Sequence, residues 1–188
     1  MLAYVFWHWP QAEVNRESYE DGLLEFHRML AAHKPDGFQH SQIFRIQEAP
    51  WLPANVTGYE DWYLLEGSGA LDVLNDAAIT HPRKETHDRA AQRAAGGTAG
   101  LYRLRHGQID LAPARFATWL SKPAGTSYDD FYAALAQFTG GAGVALWGRQ
   151  MTLGPTTEFC LRSSKEIFLP DDRFHPLTID LEPVWLGQ

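Results

Sequence analysis

The sequence predicts an α+β protein built from two consecutive β-α-β-β-α-β units, and three echoes along the 188 residues carry that prediction. Ser18-Tyr19-Glu20-Asp21 and Ser127-Tyr128-Asp129-Asp130 each open an amphipathic stretch. Each follows an apolar run holding an aromatic, a Trp and then a Pro: Tyr4 to Pro10 in one case, Phe116 to Pro123 in the other. Further on, Gly58-Tyr-Glu-Asp-Trp-Tyr63-Leu-Leu65 is matched by Gly154-Pro-Thr-Thr-Glu-Phe159-Cys-Leu161. Matches that recur in one order point to a repeated architecture.

The elements follow in sequence. Residues 2–9 are apolar and aromatic and end at Pro10, which reads as a strand. Ser18 is placed to cap a helix, with Asp21 three residues on, and Leu23, Leu24, Phe26, His27, Leu30 and Ala31 recur at helical spacing to about His33. Lys34-Pro35-Asp36-Gly37 stops the helix. Strands are expected over 38–48 and 58–66, a short helix over 69–78, and a more exposed one over 82–95, ended by Gly96-Gly97. A strand over 99–106 completes the first unit. The second has strands at 114–121, 144–152, 157–163 and 177–186, a helix at 127–138 with Phe131, Leu135 and Phe138 on one face, and a degenerate helix at 164–173. Leu153-Gly154-Pro155 turns its middle strand pair. The boundary between the units is expected at 110/111.

Composition narrows the function. The net charge is −7 without a basic stripe, so an electrostatic footprint for nucleic acid is missing. The single cysteine, Cys160, rules out an internal disulfide and fits a reducing, cytoplasmic setting. The apolar run at the N-terminus is broken by His8 and stopped by Pro10, which suits neither a signal peptide nor a membrane span. Aromatic residues make up 13% of the chain, enough to build a large core and to line a pocket for flat ligands.

β-α-β-β-α-β is the ferredoxin-like split motif, a sheet with helices on one face and the other face to be covered. On the element order and the internal echoes, the chain resembles the dimeric α/β-barrel superfamily in a tandem, fused form. The resemblance spans nearly all of the sequence and includes no sharp catalytic motif. It implies two antiparallel sheets packed face to face, and a family that contains cofactor-free monooxygenases, lactone isomerases and haem-dependent enzymes. Fold alone does not choose among these.

Strand alternation suggests which side chains face the space between the sheets. Over 177–186, Ile179 and Leu181 oppose Thr178, Asp180 and Glu182; over 157–163, Phe159 and Leu161 oppose Glu158, Cys160 and Arg162. With the apolar face set under the helices, the polar face looks inward. Carried to the first unit, this puts Trp62, Leu64 and Glu66 inside, with Tyr4, Phe6 and His8, joined by Gln39, Ser41, Arg45, Arg103 and Arg105. Such a set suits an aromatic or carboxylated small molecule, and equally suits charges that merely pair across an internal interface.

His8 is the candidate catalytic base, because an imidazole titrates near neutral pH. Tyr4, Arg45, Trp62, Glu66 and Arg103 are the candidate substrate-binding residues, the rings stacking on substrate and an arginine holding developing negative charge. No metal is expected. His27 and His33 are six apart, about 600° of rotation at roughly 100° per residue, and no HExxH motif occurs. No cofactor is expected either, since no local signature selects one of the eight histidines for haem. Cys160 sits between apolar neighbours and reads as a buried strand residue rather than a nucleophile.

Three functions suit these features. The first is a metal-independent small-molecule enzyme acting by proton transfer or oxygenation on an aromatic or polyketide-like substrate, monomeric or homodimeric. The second is a non-catalytic metabolite-binding or stress-related protein. The third is assembly through an exposed sheet edge.

Overall fold

A computed structural model describes residues 1–107, 114–141, 143–151, 154–169 and 171–187. The first unit consists of β1 (Leu2–Pro10), α1 (Arg16–Ala32), β2 (Phe38–Ile46), β3 (Gly58–Leu65), α2 (Gly69–Ala78), α3 (Lys84–Arg93) and β4 (Ala94–Gly107). The second consists of β5 (Phe116–Leu120), α4 (Tyr128–Thr139), β6 (Val144–Arg149), β7 (Phe159–Ser163), a 3-10 turn (Asp172–Phe174), β8 (Leu177–Asp180) and β9 (Glu182–Trp185). The expected boundary at 110/111 and the turn residue Leu153 lie outside the described residues.

Local chemistry sets the helix ends. The N-cap of α1 is Asn15, whose side chain accepts from the Ser18 amide at 2.8 Å. Ser18, expected as the cap, is instead the third helical residue, whose orphan N–H the cap satisfies. Ser127 does cap α4, accepting from the Asp130 amide at 3.1 Å. The two Ser-Tyr-acidic phrases therefore sit in equivalent helices with different roles. Tyr19, Gly22, Leu23, Phe26, His27 and Leu30 form the buried face of α1 at the expected three-to-four spacing.

Two stretches depart from the expectation. Gly96 and Gly97 do not end a helix; they lie in β4, which starts directly after α3. A Cβ on Gly97 would come within 2.5 Å of the Phe6 ring, and one on Gly96 within 2.7 Å of the Trp9 ring, so glycine lets the rings lie over the strand. No α-helix forms over the described part of 164–173, where the one helical turn is the 3-10 element that starts at Asp172. Leu169 and the turn residue Phe174 instead plug the second unit's core beside Phe131 and Leu135 of α4.

The described strands form one nine-stranded antiparallel sheet in the order β8-β5-β7-β6-β4-β1-β3-β2-β9. Each unit has the same ferredoxin-like internal order, β4-β1-β3-β2 and β8-β5-β7-β6. The units are joined twice in equivalent ways. The end of β4 passes from β1 to pair with β6, Tyr102 opposite Arg149. Likewise β8 pairs with β5, and after Leu181 the chain continues as β9 to pair with β2, Arg45 opposite Glu182. The two ends of the sheet are thus covalently linked, and the sheet is nearly closed. That arrangement removes the long free edge an assembly role would need.

The interior of this barrel is a packed apolar core. Trp7, Trp62, Trp119, Trp147 and Tyr102 are almost wholly buried there, with Phe44, Leu64, Cys160, Ile179 and Leu181. Trp7 and Trp119 meet edge to face at 5.5 Å, as do Trp62 and Trp147 at 5.3 Å. Two ionisable groups are enclosed with them. Glu60 accepts from the indole N–H of Trp7 at 2.7 Å and of Trp62 at 2.6 Å. The Arg162 guanidinium lies 4.1 Å from the Trp62 ring centroid and donates to Gln42 Oε1 at 3.0 Å. Burial pushes the Glu60 carboxyl up despite its two donors, and burial pulls Arg162 down to about 10.

The expected inside–outside assignment is therefore reversed on β1, β2, β4 and β8: on β2 Gln42, Phe44 and Ile46 face the interior rather than Ser41 and Arg45, and on β4 Tyr102 and Leu104 rather than Arg103 and Arg105. Ile179 and Leu181 face the barrel interior, while Thr178, which shares a hydrogen bond with Thr118, and Asp180 face out. In β1 it is Ala3, Val5 and Trp7 that point inward, so Tyr4, Phe6 and His8 lie on the opposite, helix-facing side. The barrel interior takes the bulkiest apolar rings, four tryptophans among them. On the outer face of β8, Thr178 is half-buried and Asp180 exposed. On β7 the expectation for Cys160 and Arg162 holds, whereas Glu158 lies before the strand and accepts from the α4 residue Tyr128 at 3.1 Å.

Candidate functional site

The first unit's helices do not seal its sheet. Between β1 and β3 on one side and α1, α2 and α3 on the other lies a half-open cavity of about 490 Å³. Tyr4, Phe6 and His8 come from β1, Asp61 and Tyr63 from β3, and Tyr19, Leu23 and Phe26 from α1. The opposite wall is small: Ala78 of α2, Ala90 and Ala91 of α3, and Ala94, with Leu71 and Leu74 beside them. These alanines are what leave the space open. The volume falls within the range of about 300–1,000 Å³ usual for small-molecule pockets.

Its floor is a buried polar cluster. Asp61 and His27 are at most 2% exposed, and so is His8. Asp61 Oδ2 accepts from Tyr63 Oη at 3.0 Å and lies 3.2 Å from His27 Nε2. His8 Nε2 also stands 3.2 Å from Asp61 Oδ2, close but not aligned as a hydrogen bond. The other ring nitrogens have partners too: His8 Nδ1 with the Tyr19 hydroxyl at 2.7 Å, and His27 Nδ1 with the Ser41 hydroxyl at 2.8 Å. Asp61 Oδ1 has none. The faces of the His8 ring are stacked, on Phe6 at 5.0 Å and on Tyr59 at 5.6 Å.

The electrostatics follow from this packing. Burial alone would raise the Asp61 carboxyl, but the adjacent His8 and His27 rings and the hydrogen bond with His27 hold it well below the usual carboxylate range. Asp61 is thus an anion. Burial and that anion push the Tyr19 and Tyr63 phenols up, which keeps both hydroxyls protonated and able to donate. With Asp61 ionised, the consistent assignment puts N–H on His8 Nε2 and on His27 Nε2. Nδ1 of each then accepts from Tyr19 and Ser41.

Of the residues expected to bind substrate or catalyse, Tyr4 and His8 reach this cavity. Trp62 is in the barrel core, on the other side of the sheet. Arg45 lies at the β2–β9 seam, held by Glu20 at 2.7 Å and by Glu182, beside a separate hollow lined by Gln47, Thr178 and Asp180. Glu66 is exposed past the end of β3 and accepts from Gln39 at 2.9 Å. Arg103 points away from the core and is bonded to Gln150. No Lys or Arg lines the cavity among the described residues, so the expected arginine for developing negative charge is not there. Asp61, His27, Tyr63 and Tyr19 escaped the sequence reading. Their signal was present: an acid amid a fully buried strand and a histidine on the apolar face of α1 must each find a partner.

Comparison with solved structures supports the fold. A protein from Fusobacterium nucleatum, provisionally assigned as a monooxygenase, superposes with a TM-score of 0.63 at 10% identity, over 100% of this chain and 94% of that one. A second provisionally assigned monooxygenase, from Lactobacillus acidophilus, gives 0.59 at 10% identity, over 100% and 96%. An anthrone oxidase-like protein gives 0.53 at 9% identity, over 97% and 90%. The chain therefore has the dimeric α/β-barrel fold, with both halves in one polypeptide. No protein-family model matches the sequence. No curated protein matches it significantly. Among the described residues, no helix is long and apolar enough to cross a membrane.

Proposed function

We propose that the cavity of the first unit binds a small aromatic molecule and catalyses proton transfer from it. The observation that carries this reading is the chain Tyr19–His8–Asp61 on the floor of an apolar, aromatic-walled cavity. Two of His8's edges are already engaged, so the group that meets substrate is the Tyr19 hydroxyl. An acidic substrate proton passes to the Tyr19 oxygen as the Tyr19 proton moves to His8 Nδ1. The imidazolium that results faces the Asp61 carboxylate, which lowers the cost of forming it. The substrate is left as the anion, the electron-rich species that reacts with dioxygen if the enzyme is an oxygenase. Similarity to provisionally assigned monooxygenases and to an anthrone oxidase-like protein supports that branch.

Haem, used by some proteins of this fold, does not suit the buried histidines here. His8 and His27 both turn Nε2 toward Asp61, so neither presents a free nitrogen as an axial ligand.

Proton transfer is separable from oxygenation by experiment. In anaerobic D₂O, the protein should accelerate deuterium exchange at the ring methylene of anthrone, and His8→Ala should abolish the acceleration. Unaccelerated exchange, with anthrone shown to bind, would favour the second reading, a binding protein in which the committed imidazole nitrogens only shape the cavity.

A further inference from the structure

The charge of the ligand can be read from the same cavity, an inference that rests on the proposed binding there. We infer that the site accepts uncharged molecules that present an O–H or N–H group to Asp61 Oδ1, and rejects carboxylates and other anions.

Three observations carry this. Asp61 is 2% exposed and lines the cavity, and its Oδ1 atom has no hydrogen-bond partner. An unpaired buried acceptor is costly, so a ligand that supplies the missing donor binds roughly 10-fold or more tighter than one that does not. The second observation is the sign of the cavity. Asp61 lies at its floor and Asp72, exposed on α2, at its rim, while among the described residues no Lys or Arg lines it. The groups able to become cationic nearby are His8, His27 and His87, and two of these are already turned toward Asp61. An incoming carboxylate would meet two carboxylates without a resident counter-charge, and would lose its hydration on the apolar wall of Leu71, Leu74 and Ala90. The third is the proposed chemistry. A base that takes a proton needs its substrate to arrive with that proton, as the neutral conjugate acid.

Three probes of one size and different donors test this near neutral pH: 2-naphthol, 2-methoxynaphthalene and 2-naphthoate. At that pH a phenol is protonated and a carboxylate ionised. Calorimetric titration should show 2-naphthol binding at least about 10-fold tighter than either of the others. Asp61→Asn should narrow the gap between naphthol and naphthoate. Because that buried substitution risks the fold, the exposed Asp72→Lys provides a second arm, in which naphthoate affinity should rise several-fold and methoxynaphthalene affinity stay constant. Naphthoate binding to the wild type as tightly as naphthol would overturn the inference while leaving the cavity a binding site. Binding of none of the three would overturn both the inference and the reading of the cavity as an aromatic site.

Discussion

The imidazole of His8 stands 3.2 Å from the carboxylate of Asp61, and this buried contact ties the first strand of the chain to the third. On its other side the ring meets Tyr19 of α1, so one histidine joins sheet, helix and cavity. The cluster has consequences for catalysis, for acid stability and for the fold.

If Tyr19 and His8 move the proton together, Tyr19→Phe and His8→Ala should each lower turnover by roughly 10²-fold or more, and the double variant little further. Comparing kcat with KM separates this from lost packing, because a structural role would raise KM and lower the melting temperature instead. Equal and additive losses would show that the two act independently.

Asp61 links the cluster to pH. Its folded-state carboxyl is depressed below the unfolded value of about 3.9, so it contributes stability above about pH 4 that is withdrawn as pH falls further. Urea midpoints taken from about pH 3 to pH 7 should show the advantage of wild type over Asp61→Asn shrinking on the acid side. A constant difference would mean that Asp61 is not ionised in the folded protein.

Glu60, its neighbour on the other face of the strand, should behave in the opposite way. Burial raises its carboxyl, so the native state holds a proton that the unfolded chain has released, and stability falls as pH rises above about 4.3. Glu60→Gln should therefore gain on wild type as pH increases, while its amide oxygen still accepts from an indole. Parallel pH profiles of the two proteins would contradict the raised carboxyl.

The seam that closes the barrel rests on unequal partners. Arg45 and Glu20 are 15% and 18% exposed, whereas Glu182 is 61% exposed. Glu20→Ala, which also strips Tyr59 of its 2.9 Å acceptor, should cost about 1–3 kcal/mol in a urea titration. Glu182→Ala should cost less than about 1 kcal/mol, because solvent screens an exposed pair. The reverse order would shift the closure from the helix–sheet contact to the β2–β9 pair.

Cavity size offers a further handle. Ala91 is exposed at the mouth of the cavity, so Ala91→Trp should change stability by no more than about 0.5 kcal/mol yet weaken 2-naphthol binding markedly. Unaltered affinity would place the ligand elsewhere.

Much of the architecture was legible in local pattern. The spacing of Leu23, Phe26 and Leu30 marks α1, Gly69–Ala78 marks α2, and the order of elements marks both units. Tyr4 and His8, expected on one strand face, do share one. The face they share is the helix-covered one and not the barrel interior, because polarity along a strand does not mark which face another layer will cover. Four tryptophans fill that interior around Glu60, while His8, Asp61 and Tyr63 are buried under the helices, bonded to Tyr19 and His27 of α1.

Periodicity within a segment depends on nearest neighbours along the chain, so the sequence by itself determined most strands and helices and their order, but not the start of β4 at Ala94 or the non-helical stretch after Ser163. Which face of a strand is inside depends on what covers it, and that is set by residues far apart. Asp61 meets His27 across 34 positions, and Arg162 meets Gln42 across 120. β8 is polar on its outer face, and a wall of alanines borders the cavity of the first unit. Those pairings, and with them the site, were decided only by the closing of the sheet and the seating of three helices on one half of it.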